Sequence, residues 1–255
     1  MIEFKNVTKQ YDHGVTALDS INIKIEKGEF VFFVGPSGSG KSTLLKLIIK
    51  EEDPTRGTVI VNANDLTNMK DKNIPFLRRN IGFVFQDFRL IYDRTVYENI
   101  AFALHVIEAK ESDITKKVRE VLELVGLSTK AYAFPNQLSG GEQQRVSLAR
   151  AIVTNPPIVI ADEPTGNLDS DTAVDIMNRL YDLNSKGTTV IVVSHDRDMI
   201  TKSGMRVIQM NKGKVIADEK MTRSVTENVN VNIKTEASSQ DKPYSSRRMN
   251  MGGGF

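Results

Sequence analysis

The sequence predicts an α/β protein in which strands and helices alternate around a phosphate-binding turn, with a helical insertion between two α/β stretches. Three observations carry this reading. The apolar run Phe30-Val31-Phe32-Phe33-Val34 leads directly into Gly35-Pro36-Ser37-Gly38-Ser39-Gly40-Lys41-Ser42, a glycine, four residues, then Gly-Lys-Ser. A second α/β stretch opens at Pro157 with Ile158-Val159-Ile160-Ala161-Asp162. Between the two, over about 87–155, apolar residues recur three and four apart, as on an amphipathic helix.

In chain order, Ile2-Glu3-Phe4-Lys5-Asn6-Val7 alternates with period two and reads as a strand, followed by a turn near Asp12-His13-Gly14. Leu18 to Ile25 alternates in the same way, and a turn at Gly28 delivers the strand Phe30–Val34. A helix is expected from Ser42 to about Lys50, a break at Pro54 to Gly57, and a strand at Thr58-Val59-Ile60-Val61. Thr95 to Phe102 and Ile114 to Leu122 carry the helical spacing, and a further helix runs through Val146, Leu148, Ala149 and Ile152. After the strand at Ile158 come a helix near Ala173 to Lys186 and strands at Thr188 to Val193, Met205 to Met210 and Lys214 to Ile216. The domain is expected to span 1–219. Residues 220–255 are polar and read as a disordered tail, with a short alternation at Val225 to Ile233 that could form a strand or a binding segment.

Composition sets bounds. A chain of 255 residues holds one large α/β domain, or one with an inserted subdomain. With no cysteine, disulfides, thiolate catalysis and cysteine-ligated zinc are excluded, and three histidines are too few for a histidine metal cluster. A net charge of +2 gives no argument for nucleic acid, and no nucleic-acid partner is expected. The sequence has no apolar run near membrane-spanning length and no secretion pattern at Met1 to Lys5, so a soluble chain is expected.

The motifs carry the chemistry. A strand ending in glycines and opening a helix turns successive backbone N–H groups into one concave turn that phosphate can satisfy. Lys41 then reaches the β- and γ-phosphates and the Ser42 hydroxyl is placed for Mg²⁺. Asp162, at the end of an apolar strand, suits metal positioning through water, and Glu163 beside it suits polarising the attacking water. In Leu138-Ser139-Gly140-Gly141-Glu142, Ser139 and Glu142 make a capping box, while the hydroxyl and two glycines at a positive helix end form a second phosphate-binding surface. Two such surfaces make sense if each nucleotide lies between the phosphate loop of one subunit and the Ser139 helix end of another, in a twofold pair.

Taken in this order, these three motifs resemble the ATP-binding cassette (ABC) ATPases over residues 1 to about 218. The resemblance implies a P-loop NTPase fold with a mixed-sheet, RecA-like core, an antiparallel β subdomain and an inserted helical subdomain. It implies ATP as substrate, Mg²⁺ as cofactor, and nucleotide contacts along Gly35, Pro36, Ser37, Gly38, Ser39, Gly40, Lys41, Ser42 and Thr43, with Ser139, Gly140, Gly141 and Glu142 from a second subunit. Tyr11 matches the aromatic that stacks on adenine. Gln86 matches the glutamine that touches Mg²⁺ and the attacking water and reports nucleotide state to a partner. Asp169 matches a loop that crosses the dimer interface, and His195 matches the switch histidine at the γ-phosphate. Glu163, His195, Lys41 and Gln86 form the implied catalytic set, and Ser42, Gln86 and Asp162 the implied metal ligands.

Pro75-Phe76-Leu77-Arg78-Arg79 and Asp93-Arg94-Thr95-Val96-Tyr97 further resemble the bacterial cell-division family FtsE. That likeness implies a homodimer in the ATP-bound state at the cytoplasmic face of the cell membrane, at the division septum. It implies the membrane partner FtsX and, through it, peptidoglycan hydrolases and division-ring proteins. The partner surface is expected near Gln86 to Tyr97, with Phe88, Leu90 and Tyr97 as apolar anchors beside Arg89 and Arg94. The run Asp162 to Asp169 is shared with transporter, lipoprotein-release and MacB-like ATPases, so a transport subunit is the alternative. A soluble cassette ATPase of DNA repair or translation would carry two cassettes or a long coiled-coil insertion, and this chain carries one cassette and no such insertion. In the tail, Lys242, Arg247 and Arg248 are too few and too spaced for a strong anionic-lipid site.

Overall fold

The structure, a computed structural model, describes residues 1–220 apart from Asn167. The expected polar tail beyond Lys220, with its Val225 to Ile233 alternation and its three basic residues, lies outside the described residues.

Two sheets are present among the described residues. The first is antiparallel, built from β1 (Ile2–Gln10), β2 (Thr16–Ile25), β4 (Arg56–Val61) and β5 (Asn64–Asp65) in the order β2-β1-β4-β5. The second is mixed: β10 (Lys214–Lys220), β9 (Arg206–Asn211), β3 (Phe30–Val34), β8 (Thr189–Val193), β7 (Ile158–Asp162) and β6 (Ile81–Val84), in that order. Its pairs are parallel except for β9 with β10.

The central strands are apolar throughout because both of their faces are covered. Val31, Phe33, Ile158, Ile160, Ile191 and Val193 pack with the antiparallel sheet and with Leu44, Leu45 and Ile48 of α1 (Lys41–Ile48). The alternate residues Phe32, Val159, Ala161, Val190 and Val192 pack with α5 (Gly140–Ile152) and α6 (Ser170–Ser185). A third core joins α3 (Val96–Val106), α4 (Glu111–Leu124) and α5 through Ile100, Leu104, Ile114, Val118, Val146 and Ala149. Helix α5 therefore has two apolar faces, one on the sheet and one on the helical layer.

Four strands or α-helices go beyond the sequence reading: β5, β6, the short α2 (Ile74–Arg78) and α7 (Arg197–Ser203). Each is too short to show a period. In β6 the glycine is needed for close packing, since a Cβ on Gly82 would sit 2.2 Å from the Ala151 carbonyl of α5. Strand β10 runs on past the expected Lys214 to Ile216, through Lys220, because β9 offers a full antiparallel partner.

Candidate functional site

Register places the site. Across the parallel strands Phe33 pairs with Val193, Val193 with Asp162, and Ala161 with Val84. The segments that follow these strands therefore emerge side by side at their carboxyl ends, where open α/β sheets bind ligands. They are the phosphate loop after β3, Ser194-His195 after β8, Glu163 after β7 and Gln86 after β6. Residues far apart in sequence meet because four strands end at one level.

The phosphate loop is shaped by close backbone approach. Gly35 and Gly40 have φ of +150° and +104°, and a Cβ there would lie 2.2 Å from the Met210 carbonyl and 2.5 Å from the Ala17 carbonyl. Gly38 stands in open space, and Ser39 is buried. Lys41 Nζ donates to the carbonyls of Gly35 (2.7 Å) and Pro36 (3.0 Å) and lies 3.3 Å from Ser39 Oγ. Its ammonium thus lies within the concavity of the loop. Burial lowers the Lys41 pKa from its ordinary value, against the opposing pull of Glu163 and Asp162. Burial raises that of Asp162, and the neighbouring Glu163 charge adds to the effect. Asp87 and Arg89 also act on Asp162, which brings the Gln86 loop into the same field.

Glu163 sits in the left-handed region at φ +48°, fixed by its N–H donating to the Val193 carbonyl at 2.9 Å. Its Oε2 lies 2.5 Å from His195 Nδ1, with the carboxylate largely buried and the imidazole exposed. Asp196 caps α7 by accepting from the Met199 N–H at 3.0 Å, which anchors the histidine turn from the other side. At the far edge of the phosphate loop, the Tyr11 hydroxyl lies 3.4 Å from Thr43 Oγ1, and Lys9 Nζ lies 5.0 Å from the centre of the Tyr11 ring.

The Ser139 helix end forms the expected capping box. Ser139 Oγ accepts from the Glu142 N–H at 3.2 Å, and Glu142 Oε2 accepts from the Ser139 N–H at 2.9 Å, which holds the Glu142 pKa down. Gly140 borders open space, whereas a Cβ on Gly141 would lie 2.8 Å from Thr172 Cγ2 of α6. Asp169 caps α6, accepting from the Thr172 N–H at 3.0 Å and its hydroxyl at 2.8 Å. Residues 139–142 therefore lie beside the start of α6. Among the described residues no hydrogen bond or ion pair joins them to the phosphate loop.

One expectation is corrected. Leu90 is buried in the helical core, with Phe88 and Tyr97 partly buried against it, so Leu90 is not a free apolar anchor. The exposed aromatic of that loop is Tyr92, 60% exposed, beside the exposed side chains of Arg89 and Arg94. Two residues that the motifs do not mark hold the loop. Arg150 of α5 donates to the Arg89 carbonyl at 2.6 Å and the Phe88 carbonyl at 2.9 Å, both in residues of positive φ. Asn99 of α3, fully buried, accepts from the Ile91 N–H and donates to the carbonyls of Ile91, Arg94 and Thr95. A polar residue on the apolar face of a helix was the available signal for Asn99; Arg150 gave none. Arg78 closes the end of α1 by donating to the Ile49 and Lys50 carbonyls, and Thr95 caps α3.

The donor set suits a metal held largely by phosphate oxygens. Among the described residues no group of three or more histidine or carboxylate side chains gathers, while Ser42 stands in the first turn of α1 and the half-buried Asp162 lies within the field of the loop lysine. Among those residues, no helix is long and apolar enough to cross a membrane.

Comparison with known proteins agrees with this geometry. The ABC transporter family matches residues 18–166. The cell division ATP-binding protein FtsE of Bacillus subtilis is 54% identical over 219 residues, 86% of this chain and 96% of that protein. The FtsE of Mycobacterium tuberculosis is 50% identical over 220 residues, again 86% of this chain and 96% of the relative. Among solved structures, the dimeric post-hydrolysis state of the ATP-binding cassette MJ0796, bound to ADP and Pi, is similar with a TM-score of 0.80. It is 41% identical and covers 87% of this chain and 99% of that one. Sequence and fold agree along most of the chain, which belongs to the ABC ATPase family, in the branch of the FtsE cell-division proteins.

Proposed function

We propose that this chain is the ATP-hydrolysing subunit of a bacterial cell-division complex. It would act as a homodimer closed around two ATP molecules and drive conformational change in the membrane partner FtsX, which in turn regulates peptidoglycan hydrolases. The observation that carries the catalytic reading is the convergence of Lys41, Asp162, Glu163 and His195 at one level of the sheet. Membership of the family makes the reaction ATP plus water to ADP plus phosphate.

The proposed roles follow from chemistry. Lys41 and the backbone N–H groups of residues 35–43 bind the phosphates, with Tyr11 against the adenine. Glu163 orients the attacking water and accepts its proton. His195, 2.5 Å from that carboxylate, fixes its direction and approaches the γ-phosphate. Ser42, Asp162 and Gln86 would hold Mg²⁺, which neutralises charge on the β- and γ-oxygens. Ser139, Gly140, Gly141 and Glu142 of the second protomer cover the γ-phosphate, with Asp169 at the interface. The relatives named for a dimeric cassette support this pairing. We assign the ATPase domain to residues 1–219, its helical subdomain to 87–155, and the complex to the cytoplasmic face of the membrane at the septum. The partner surface is the loop from Gln86 to Tyr97, read out by Tyr92, Arg89 and Arg94.

Glu163→Gln tests the core of the reading. ATP binding persists, turnover falls by about 10²- to 10⁴-fold, as for loss of a general base, and ATP traps a dimer visible by light scattering. Wild-type turnover in this variant would overturn the role of Glu163.

A further inference from the structure

Lys9 is two residues before Tyr11 at the end of β1, and its side chain is only 13% exposed. Two of its three N–H donors are taken: one by Glu52 Oε2 at 2.6 Å and one by the Asp53 carbonyl at 2.9 Å. Both acceptors belong to the segment that follows α1, the helix opened by the phosphate loop. The same ammonium lies 5.0 Å from the centre of the Tyr11 ring, within cation–π range. The Tyr11 hydroxyl, at the other extreme of the side chain, lies 3.4 Å from Thr43 Oγ1 in the first turn of α1. The aromatic is thus met on one face by the ammonium and at its hydroxyl by the first turn of the helix that carries the phosphate loop.

We propose that Lys9 is a positioning residue for the nucleobase: it holds Tyr11 in its stacking orientation and, by covering one face of the ring with positive charge, prepares the other face for the purine. The proposal rests on the reading of Tyr11 as the adenine-stacking aromatic. Its physics has two parts. A ring already held in place loses less side-chain freedom when a base stacks on it. A cation over one face also draws on the ring quadrupole, leaving the opposite face less electron-rich and a better partner for an electron-rich base. Lys9 acts through the ring rather than on the nucleotide: two of its three donors are committed to Glu52 and Asp53, and its charge lies over the Tyr11 face. A purely structural lysine, tying β1 to the end of α1, would serve phosphate and base binding alike. That difference makes the two roles separable.

The test is calorimetric binding of two probes, MgATP and inorganic tripolyphosphate with Mg²⁺, to the full-length wild type and to Lys9→Met, Lys9→Arg and Tyr11→Ala. Lys9→Met is expected to weaken ATP by about threefold to tenfold, the span of a partly desolvated cation–π contact, while tripolyphosphate affinity stays at the wild-type value. Unchanged tripolyphosphate binding also reports that the variant is folded. Lys9→Arg keeps a cation over the ring and retains most of the ATP preference. In the double variant Lys9→Met, Tyr11→Ala, the loss is no greater than in Tyr11→Ala alone, because both act through one ring. Equal weakening of both probes by Lys9→Met would overturn the proposal in favour of a structural tie. So would an ATP-to-tripolyphosphate ratio that Tyr11→Ala collapses and Lys9→Met leaves intact. A ratio that Tyr11→Ala itself leaves intact would overturn the stacking reading, and the role of Lys9 with it.

Discussion

Asp162 is held between opposing influences. Burial and the adjacent Glu163 disfavour its charge, while Lys41 and Arg89 favour it, and the first pair wins. An acid whose folded pKa lies above its unfolded value costs stability wherever it is ionised, and the cost disappears once both states are protonated. The nucleotide-free protein with Asp162→Asn should therefore have a higher urea midpoint than wild type at pH 7. The gap should close as the pH falls through the raised pKa toward the ordinary 3.8. A midpoint difference that stays constant over that range would mean that the asparagine acts by packing. The same balance fits the proposed metal role: a half-buried acid whose charge is disfavoured in the nucleotide-free protein gains when a divalent cation arrives. The loop lysine shows the converse, since burial lowers the pKa of its ammonium and phosphate would restore it.

Helix α5 joins three parts of the molecule. Its first turn is the Ser139 capping box, its middle packs on both the sheet and the helical layer, and Arg150 in its last turn grips the carbonyls of Phe88 and Arg89. The loop that follows Gln86 is thereby tied to the helix that begins at Ser139. Burial lowers the Arg150 pKa, yet a guanidinium remains charged and its two parallel bonds are directional. Arg150→Met leaves those carbonyls without their donor, and stability should fall by about 2–3 kcal/mol, the scale of a hydrogen bond to a charged group. Lysine, a point donor, should recover only part. Urea unfolding of wild type and both variants checks this ordering, and a Met variant as stable as wild type would show that the fork contributes nothing. The capping box was legible in Ser139 and Glu142 because its partners are three residues apart. The Arg150 tie was not, because its acceptors are backbone atoms 61 and 62 residues away, and backbone atoms leave no mark in sequence.

The protomer presents two ends proposed to bind phosphate, the loop at the carboxyl ends of the strands and the start of α5, set beside α6; among the described residues no hydrogen bond or ion pair joins them. A twofold pair uses each end once per nucleotide. Turnover per chain should then depend on protein concentration: below the dimer dissociation constant, tenfold dilution should lower it by about tenfold through mass action. Constant turnover per chain, for partner-free protein shown by ultracentrifugation to be monomeric, would remove the basis for the closed dimer. Partner engagement belongs to the same scale. The exposed residues of the Gln86 to Tyr97 loop include Tyr92, Arg89 and Arg94, alongside Gln86, Asp87 and Asp93, with Leu90 withdrawn into the helical core.

By itself the sequence determined the chemistry and the order of the parts. Residues 35–42, 138–142 and 158–163 carry their meaning in local spacing, because a turn, a cap and a strand end are each built from neighbours along the chain. The central strands were also readable, since burial on both faces leaves a continuous apolar run. Only the tertiary structure decided which parts meet. The common level of the strand ends, the contact of His195 with Glu163, the burial of Leu90 and the clamps made by Arg150, Asn99 and Lys9 all depend on register and packing between distant segments. Such contacts follow from how faces fit in space, and no periodicity along the chain records them.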